Sequence, residues 1–170
     1  MNVPPSLSDD VIERAFCDPE AIALAWKTAA ALVPEALAVE REAASPGVAL
    51  VQLVRLLGSR GLLGLVVPEA EGGTFKSVRS VALCLARERL GHASPLVELA
   101  FAMQALGTQP IVAFGEPPLR AALLPRIAAG ELVTAFALTE REAGSDLGGI
   151  ATTARRDGDG YVLDGEKTFI

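Results

Sequence analysis

A chain of 170 residues with 51% hydrophobic residues is long enough for one domain and part of a second. Its net charge of −6 argues against the basic surface that nucleic acids and anionic membranes require, so we expect neither as a partner. The apolar excess predicts surfaces that another domain or subunit covers.

Helical periodicity accounts for the first 130 residues. Ser8 predicts the start of a short helix, and Asp18 and Pro19 open a longer one that Pro34 kinks or divides. Further helices are expected from Ser45 to Gly58 or Gly61, from Ser77 to Leu90, from Pro95 to Leu106, in a short separate piece at 109–115, and from Pro117 or Pro118 to Gly130. Residues 1–130 are therefore predicted to form an all-α domain, interrupted by a Pro- and Gly-rich connector at 62–75.

The hydrophobic period changes at Glu131. The segment 131–138, ELVTAFAL, is rich in β-forming residues, which predicts a strand. The segment 152–170 carries further β formers around three Asp-Gly pairs, which are typical of strands joined by tight turns. Residues 131–170 are predicted to be the opening strands of an incomplete β domain, since so few strands leave edges unpaired.

The segment TEREAGSD at 139–146 follows the predicted strand and places polar groups at one corner. Thr139 and Ser145 supply hydroxyls, and Gly144 lets a ligand approach the backbone closely because it has no Cβ. Such a corner can bind the edge of a heteroaromatic ring and a phosphate. The alternative is a plain turn in which Ser145 and Asp146 cap local backbone.

Four sequence blocks, in order, resemble the N-terminal half of the acyl-CoA dehydrogenase family. They are GLLGLVVPEAEGG, ERLG, the run from ALGTQP to EAGSD, and DGDGYVLDGEKTFI, and together they cover roughly residues 45–170. The resemblance implies a helical N-terminal domain, a β-barrel-like middle domain that begins in residues 131–170, and a C-terminal four-helix domain beyond this chain. We therefore expect a truncated fold of this family, mostly α and then β.

The resemblance also implies the chemistry. Family members are FAD-dependent oxidoreductases in which a glutamate removes the α proton of an acyl thioester while the β hydride passes to flavin N5. The substrate would be an acyl-CoA or an acyl carrier protein, and the acceptor an electron-transfer flavoprotein or another protein. Relatives form dimers or tetramers. Their catalytic glutamate belongs to the C-terminal domain, so we expect no catalytic residue in this chain, which alone should be inactive.

Site residues are carried over from the family position by position. The expected cofactor-binding set is Phe136, Leu138, Thr139, Gly144, Ser145, Phe169 and Ile170. The Thr139 hydroxyl and nearby amides would bind the pyrimidine edge of the flavin, where they would stabilise developing negative charge. Ser145 would lie by the pyrophosphate and the polar arm of the substrate. Phe169 stands where relatives usually have Trp.

Leu99 and Met103, four residues apart on one helix face, border the acyl chain in relatives. Their bulk would shorten the pocket and favour a short acyl group. The alternative interpretation is ordinary core packing, which is the usual fate of apolar residues at this spacing.

Several residues near these motifs carry less functional meaning. Arg141 replaces a Pro that is usual in the family and is expected to be solvated, as is His92 unless a local partner satisfies it. Glu140 and Glu142, two residues apart on a turn, need not converge, and we reject them as the base. PEAEGG at 68–73 also lacks the aromatic residue that often precedes the two glycines.

The N-terminus and the cysteines predict the compartment. MNVPPSLSDD lacks the basic start and apolar run of a signal peptide. Cys17 and Cys84 show no spacing suited to a metal, so we expect buried thiols in a reducing compartment and no metal. These features predict a cytoplasmic protein without a membrane span.

Other functions stay open at this point. Oxidases, nitroalkane oxidases and flavin-dependent monooxygenases of the same fold share these N-terminal motifs and differ in their reaction with oxygen. A different class is a non-catalytic, truncated subunit that pairs with a complete one. The missing half is expected to be lost by truncation or proteolysis, or supplied by a separate polypeptide.

Overall fold

The computed structural model describes residues 19–170, without the side chains of Glu20 and Ala21. These residues form two compact units, of which the first ends at Ala135 and the second spans Phe136–Ile170. The helix expected from Ser8 and the Cys17 thiol lie outside the described residues.

Five α-helices make up most of the first unit as described. They are α1 (Pro19–Glu42), α2 (Pro46–Ser59), α3 (Ser80–Gly91), α4 (Pro95–Phe114) and α5 (Pro117–Ala128). Short 3₁₀ helices at Leu62–Val66 and Glu69–Glu71 occupy the connector. This mostly helical unit confirms the predicted fold class.

Local sequence explains where these helices begin and end. The Ser45 hydroxyl accepts a hydrogen bond from the Val48 N–H at 3.3 Å, and the Ser94 hydroxyl accepts one from the Leu96 N–H at 3.0 Å. Both caps are followed by a proline, whose fixed φ suits the first helical turn and whose missing N–H needs no partner there. After α5, Gly130 adopts φ +74°, the left-handed conformation that glycine tolerates.

Three helices continue through an internal proline. Helix α1 contains Pro34, α4 contains Pro110 and α5 contains Pro125. The separate piece expected at 109–115 is therefore wrong, because α4 runs on to Phe114. Ile111 and Val112, just after Pro110, pack against the core, and that burial offsets the backbone hydrogen bond that the proline removes.

The core of the first unit lies where α4 packs against α2, α3 and α5, with α1 covering α2 and α3. Its largest fully buried side chains include Leu32, Leu53, Leu63, Phe101 and Leu124. The connector contributes as well, since every residue of the 3₁₀ helix Leu62–Val66 is buried. Apolar burial from all these segments is the main favourable term in the stability of this unit.

A salt bridge anchors the connector at the position just before its two glycines, where the sequence has no aromatic residue. Glu71 occupies that position, and its Oε1 atom accepts a hydrogen bond from Arg120 Nε of α5 at 2.8 Å. Arg120 also donates to the Val112 carbonyl at 2.8 Å. A partly buried ion pair thus joins the connector, α4 and α5.

Two helices meet the length and composition criteria for a membrane span, namely residues 22–42 of α1 and the whole of α4. Core helices of globular proteins meet the same criteria. Here α1 buries Ala25 and Leu32 in the core of the first unit, and α4 buries Val97 and Phe101 there.

Cys84 is exposed, so the expectation of a buried thiol is wrong for this residue. Helix α3 turns Ala82, Leu85, Ala86 and Leu90 inward, and Cys84 lies on the other side of the helix. Helical spacing predicted the helix, but it did not indicate which face the cysteine would occupy.

The second unit contains a two-stranded antiparallel sheet. Strand β1 (Thr153–Asp157) pairs with β2 (Gly160–Asp164), with Thr153 opposite Asp164. Positive φ at the first turn residue, Gly158, but not at the second is the pattern of a type II′ hairpin turn. The first Asp-Gly pair, Asp157-Gly158, therefore marks a hairpin, as predicted, whereas the last, Asp164-Gly165, ends β2 with no further strand up to residue 170.

The strand expected at 131–138 does not form in the described chain. Side-chain exposure still alternates with a period of two along this segment, as the β pattern predicts. A strand also needs a hydrogen-bonded neighbour, and no described residue pairs with this segment as a ladder. Residues 131–134 are held instead by a helix of the first unit, through contacts described below.

Candidate functional site

The corner predicted at TEREAGSD begins with a tight turn. The Glu140 N–H donates to the Ala143 carbonyl at 2.9 Å, and the Ala143 N–H donates back to the Glu140 carbonyl at 3.2 Å. Ala143, the last residue of this turn, is buried. Beyond it, Asp146 Oδ1 accepts a hydrogen bond from the Gly148 N–H at 3.0 Å and begins a 3₁₀ helix, Leu147–Gly149. Local capping by Asp146 is thus present, as the alternative interpretation predicted.

The Glu140 carboxylate is saturated with hydrogen bonds. Its Oε2 atom accepts from the Ala151 N–H at 2.7 Å, and its Oε1 atom accepts from the Thr152 N–H at 3.0 Å and from the Thr152 hydroxyl. Lys167 Nζ lies 2.8 Å from the same Oε1. We call Glu140, Ala151, Thr152 and Lys167 the Glu140 cluster, and it joins three separate stretches of the chain.

These contacts determine the protonation state of Glu140. The Lys167 ammonium, followed by the Thr152 hydroxyl and the Ala151 N–H, lowers its pKa from the ordinary value of 4.5 to about 2. A carboxylate this weakly basic is a poor proton acceptor near neutral pH. The geometry therefore agrees with rejecting Glu140 as a catalytic base, and its role in the described chain is structural.

Lys167 and Thr168 bring two predicted site segments together. Lys167 Nζ donates to the Leu138 carbonyl at 2.9 Å, and the Thr168 N–H donates to the Thr139 carbonyl at 2.9 Å. These bonds hold the stretch that leads to Phe169 beside the stretch that carries Leu138 and Thr139. Phe169 itself is 94% exposed, with φ +56°, and Ile170 is also exposed.

The predicted ligand-facing donors, by contrast, have no partner within the described chain. The N–H and hydroxyl of Thr139 and of Ser145, and the N–H of Gly144, donate to no atom of residues 19–170. A Cβ built on Gly144 would meet no heavy atom within 4 Å. The corner therefore combines free donors with open space beside the backbone, which fits a ring edge and a pyrophosphate that accept hydrogen bonds.

Other members of the predicted cofactor set lie in the same unit. Phe136 and Leu138 are half-buried, and Gly144 and Ser145 are exposed. All seven predicted residues fall within Phe136–Ile170, and the hydrogen bonds described above link the strip at 138–139 with that at 167–168. Direct contact of these residues with a flavin stays a prediction.

Leu99 and Met103 line an open groove of about 450 Å³ between α3 and α4. Leu99 is 43% exposed, so core packing is not its role in the described chain, and Met103 is half-buried. The remaining lining residues are Ser80, Leu83, Cys84, Arg87, Glu98, Ala102, Ala105, Leu106 and Gln109. The groove is mostly apolar, and its use by an acyl chain stays a prediction.

Gln104 has a structural role that the sequence did not reveal. Its buried amide donates through Nε2 to the Leu132 carbonyl at 2.9 Å and accepts through Oε1 from the Thr134 N–H at 2.6 Å. These bonds attach the segment after Gly130 to α4, which explains why the first compact unit ends at Ala135. A single polar residue within the apolar run AFAMQAL was the available signal.

The remaining polar candidates are exposed, as expected. His92 Nε2 lies 3.9 Å from Glu88 Oε1, one helical turn away, and Arg141 is exposed on the tight turn. Between residues 19 and 170, no group of three or more His, Cys, Asp or Glu is arranged to hold a metal.

Family models match both units of the chain. The model described as "Acyl-CoA dehydrogenase, N-terminal domain" matches residues 23–131. The model described as "Acyl-CoA dehydrogenase, middle domain" matches residues 135–170.

Individual relatives agree with these matches. The chain is 38% identical over 120 residues to an acyl-CoA dehydrogenase of Bacillus subtilis (strain 168), a match that covers 70% of this chain and 31% of that protein. It is 40% identical over 141 residues to cyclohex-1-ene-1-carbonyl-CoA dehydrogenase of Geobacter metallireducens, covering 82% of this chain and 35% of that protein.

A solved structure matches the fold as well. The crystal structure of an acyl-CoA dehydrogenase complexed with FAD from Bacillus anthracis superposes with a TM-score of 0.70 and 34% identity, covering 91% of this chain and 26% of that one. The chain thus spans about a third of the length of the relatives it matches and about a quarter of the crystallised protein.

Proposed function

Because this chain belongs to the acyl-CoA dehydrogenase family, we propose that it supplies the N-terminal part of an FAD-dependent acyl-thioester dehydrogenase. The reaction would be α,β-desaturation, in which a base outside this chain takes the α proton and the β hydrogen leaves as hydride, giving an enoyl thioester and reduced flavin. Bound FAD would supply the hydride acceptor. This chain would supply part of the binding site.

The contrast between Glu140 and its neighbours supports this proposal. The Glu140 carboxylate accepts hydrogen bonds from several protein donors. By contrast, the N–H groups of Thr139, Gly144 and Ser145 and the two hydroxyls donate to no residue of the described chain. Exposed donors on a turn are otherwise satisfied by water, so a ligand can take them up without breaking any bond within the protein. Free donors held on a fixed turn are suited to an external acceptor.

Each donor has a proposed role. Thr139 would donate to the pyrimidine edge of the flavin and so stabilise the negative charge that accumulates there on reduction. Gly144 would give the backbone close access to the pyrophosphate, and Ser145 would donate to it and to the polar arm of the substrate. Leu99 and Met103 would limit the acyl pocket and favour a short acyl group.

The proposed substrate is an acyl-CoA rather than an acyl carrier protein, since both relatives compared above have CoA in their names. An electron-transfer flavoprotein is the proposed acceptor. We further propose a cytoplasmic dimer or tetramer, in which exposed apolar side chains such as Leu99, Leu106 and Phe114 would be covered by the rest of the enzyme.

Anaerobic titration tests the proposed reaction. The FAD-loaded enzyme, assembled with its C-terminal part, should lose its flavin colour on addition of short-chain acyl-CoA and form one enoyl-CoA per flavin reduced. Slow reaction of the reduced enzyme with oxygen would distinguish it from an oxidase or a monooxygenase. Failure to retain FAD, or an unbleached flavin with every acyl-CoA tried, would contradict the proposal.

A further inference from the structure

Lys167 is bonded to the peptide group that carries one of the proposed flavin donors. Its Nζ atom lies 2.9 Å from the carbonyl oxygen of Leu138, which belongs to the same peptide unit as the Thr139 N–H. This peptide is trans. In a planar trans peptide, C=O and N–H point in opposite directions, so a bond that fixes the carbonyl also fixes the direction of the N–H. The Thr139 N–H therefore points away from Lys167.

We propose that Lys167 is a positioning residue that orients and polarises the Leu138–Thr139 peptide, making the Thr139 N–H a fixed and strengthened donor to the flavin. This inference rests on the proposed function. Lys167 touches no reacting atom and acts through the peptide, while the Glu140 carboxylate, 2.8 Å away, holds the ammonium in place.

Charge and partial burial both favour polarisation. A cation that bonds a carbonyl draws electron density from the peptide, which makes the N–H at the opposite end a better donor. The Lys167 side chain is 23% exposed and that of Glu140 is 9% exposed, so water screens this interaction less than it would a surface pair. The strengthened donor has no acceptor within the described residues and is therefore available to a ligand.

A second restraint fixes the other side of Thr139. Its carbonyl accepts the Thr168 N–H at 2.9 Å, so the peptide planes before and after Thr139 are both held by residues 167–168. Glu140 also accepts hydrogen bonds from Ala151 and Thr152, and these bonds do not involve the ammonium. Removing the Lys167 charge should thus weaken the polarisation while leaving the turn anchored.

The test compares three variants of the FAD-loaded enzyme. Lys167→Met removes the charge and leaves an unbranched side chain one atom shorter, Lys167→Arg restores the charge, and Lys76→Met removes an exposed lysine elsewhere as the matched control. We expect Lys167→Met to shift the flavin reduction potential to more negative values and to weaken FAD binding by about tenfold or less, because the Thr139 N–H would remain a donor to the flavin but a less polarised and less firmly oriented one. Lys167→Arg should recover part of both effects, and Lys76→Met should change neither.

A second readout needs no flavin. In the flavin-free chain, the amide proton resonance of Thr139 should move in Lys167→Met, because its peptide is no longer polarised, and stay unchanged in Lys76→Met. Lys167→Gln, which removes the charge but keeps a hydrogen-bond donor, should move the resonance and the potential in the same direction but less. This variant keeps the test usable where Lys167→Met folds poorly.

The outcomes separate this inference from the proposed function. A wild-type enzyme that binds FAD, together with Lys167→Met and Lys167→Gln variants whose potential and Thr139 resonance match wild type, would overturn the role of Lys167 and leave the dehydrogenase proposal standing. A wild-type enzyme that binds no FAD would overturn both. A negative shift of potential that Lys167→Arg reverses would support the role of Lys167.

Discussion

The two units of this chain are held together by different interactions. The first, up to Ala135, buries a continuous apolar core drawn from five helices and the connector. In the second, Phe136–Ile170, only Ala143 and Glu140 are buried, and both strands of its hairpin are exposed along their whole length. The helical unit therefore depends on packing, whereas the geometry of the second unit depends on hydrogen bonds, with the Glu140 cluster joining its separate stretches.

Truncating a core side chain should have the largest effect. Leu53→Ala removes a fully buried side chain from α2 and should destabilise the helical unit by about 2–5 kcal/mol, because it loses apolar burial and leaves a cavity. Leu106→Ala, the same substitution at a 45% exposed site, should change stability by less than about 0.5 kcal/mol. Urea unfolding followed by helical circular dichroism measures both. Equal effects would contradict a packing-dominated unit.

Adding a methyl group at a close backbone contact should have the next largest effect. A Cβ on Gly58 would lie 2.3 Å from the Ala129 carbonyl carbon and the Gly130 nitrogen, so Gly58→Ala should cost about 1–3 kcal/mol. Gly47→Ala, in the same helix, meets no atom within 4 Å and should stabilise the helix by up to about 1 kcal/mol. Thermal unfolding of both variants provides the comparison. A destabilised Gly47→Ala or a neutral Gly58→Ala would show that the α2–α5 approach is looser than described.

Removing the buried amide of α4 tests what attaches the end of the first unit. Gln104→Met keeps the side-chain length but leaves the Leu132 carbonyl and the Thr134 N–H without their partner, which should cost about 1–2 kcal/mol. Hydrogen exchange at the Thr134 amide should accelerate in this variant. Gln52→Met, at an exposed position of α2, is the control and should leave that amide unchanged. Unaltered exchange in Gln104→Met would mean that other contacts hold this segment.

Lowering the pH toward 2 should weaken the hydrogen bonds of the Glu140 cluster, whereas these bonds should stay intact near neutral pH. Since the folded-state pKa of Glu140 lies near 2, below its ordinary value of 4.5, its contribution to stability is present above pH 4.5 and is lost as pH falls toward 2. The Ala151 and Thr152 amide resonances should shift across that window in the wild type. They should not do so in Glu140→Gln, which has no carboxyl to titrate there. A wild-type transition centred near pH 4.5 would show that Lys167 does not lower the pKa of Glu140.

Most of the helical unit could be predicted from sequence because its signals are local. Ser45 and Pro95 marked two helix starts, and Gly130 marked an end. Local signals failed where packing outweighed them. Pro110 predicted a break, yet α4 continues because Ile111 and Val112 pack against the core.

The second unit was less predictable because its structure depends on distant partners. Residues 131–138 have strand-like composition and alternating exposure, but composition cannot provide the neighbouring strand that a ladder requires. The resemblance to the family identified Thr139 and Ser145 as site candidates. Neither it nor residue spacing revealed that Glu140 would pair with Lys167, 27 residues away in sequence.

The affinity of the Gly144→Ala variant for FAD tests most directly whether the corner from Thr139 to Ser145 holds the cofactor. An added Cβ there meets no atom of the described chain, so the variant should fold like the wild type. In the assembled enzyme, its methyl group should intrude where the pyrophosphate approaches and weaken FAD binding about tenfold, while Gly47→Ala leaves binding unchanged. A Gly144→Ala enzyme that binds FAD as tightly as wild type would contradict the proposed position of the flavin site.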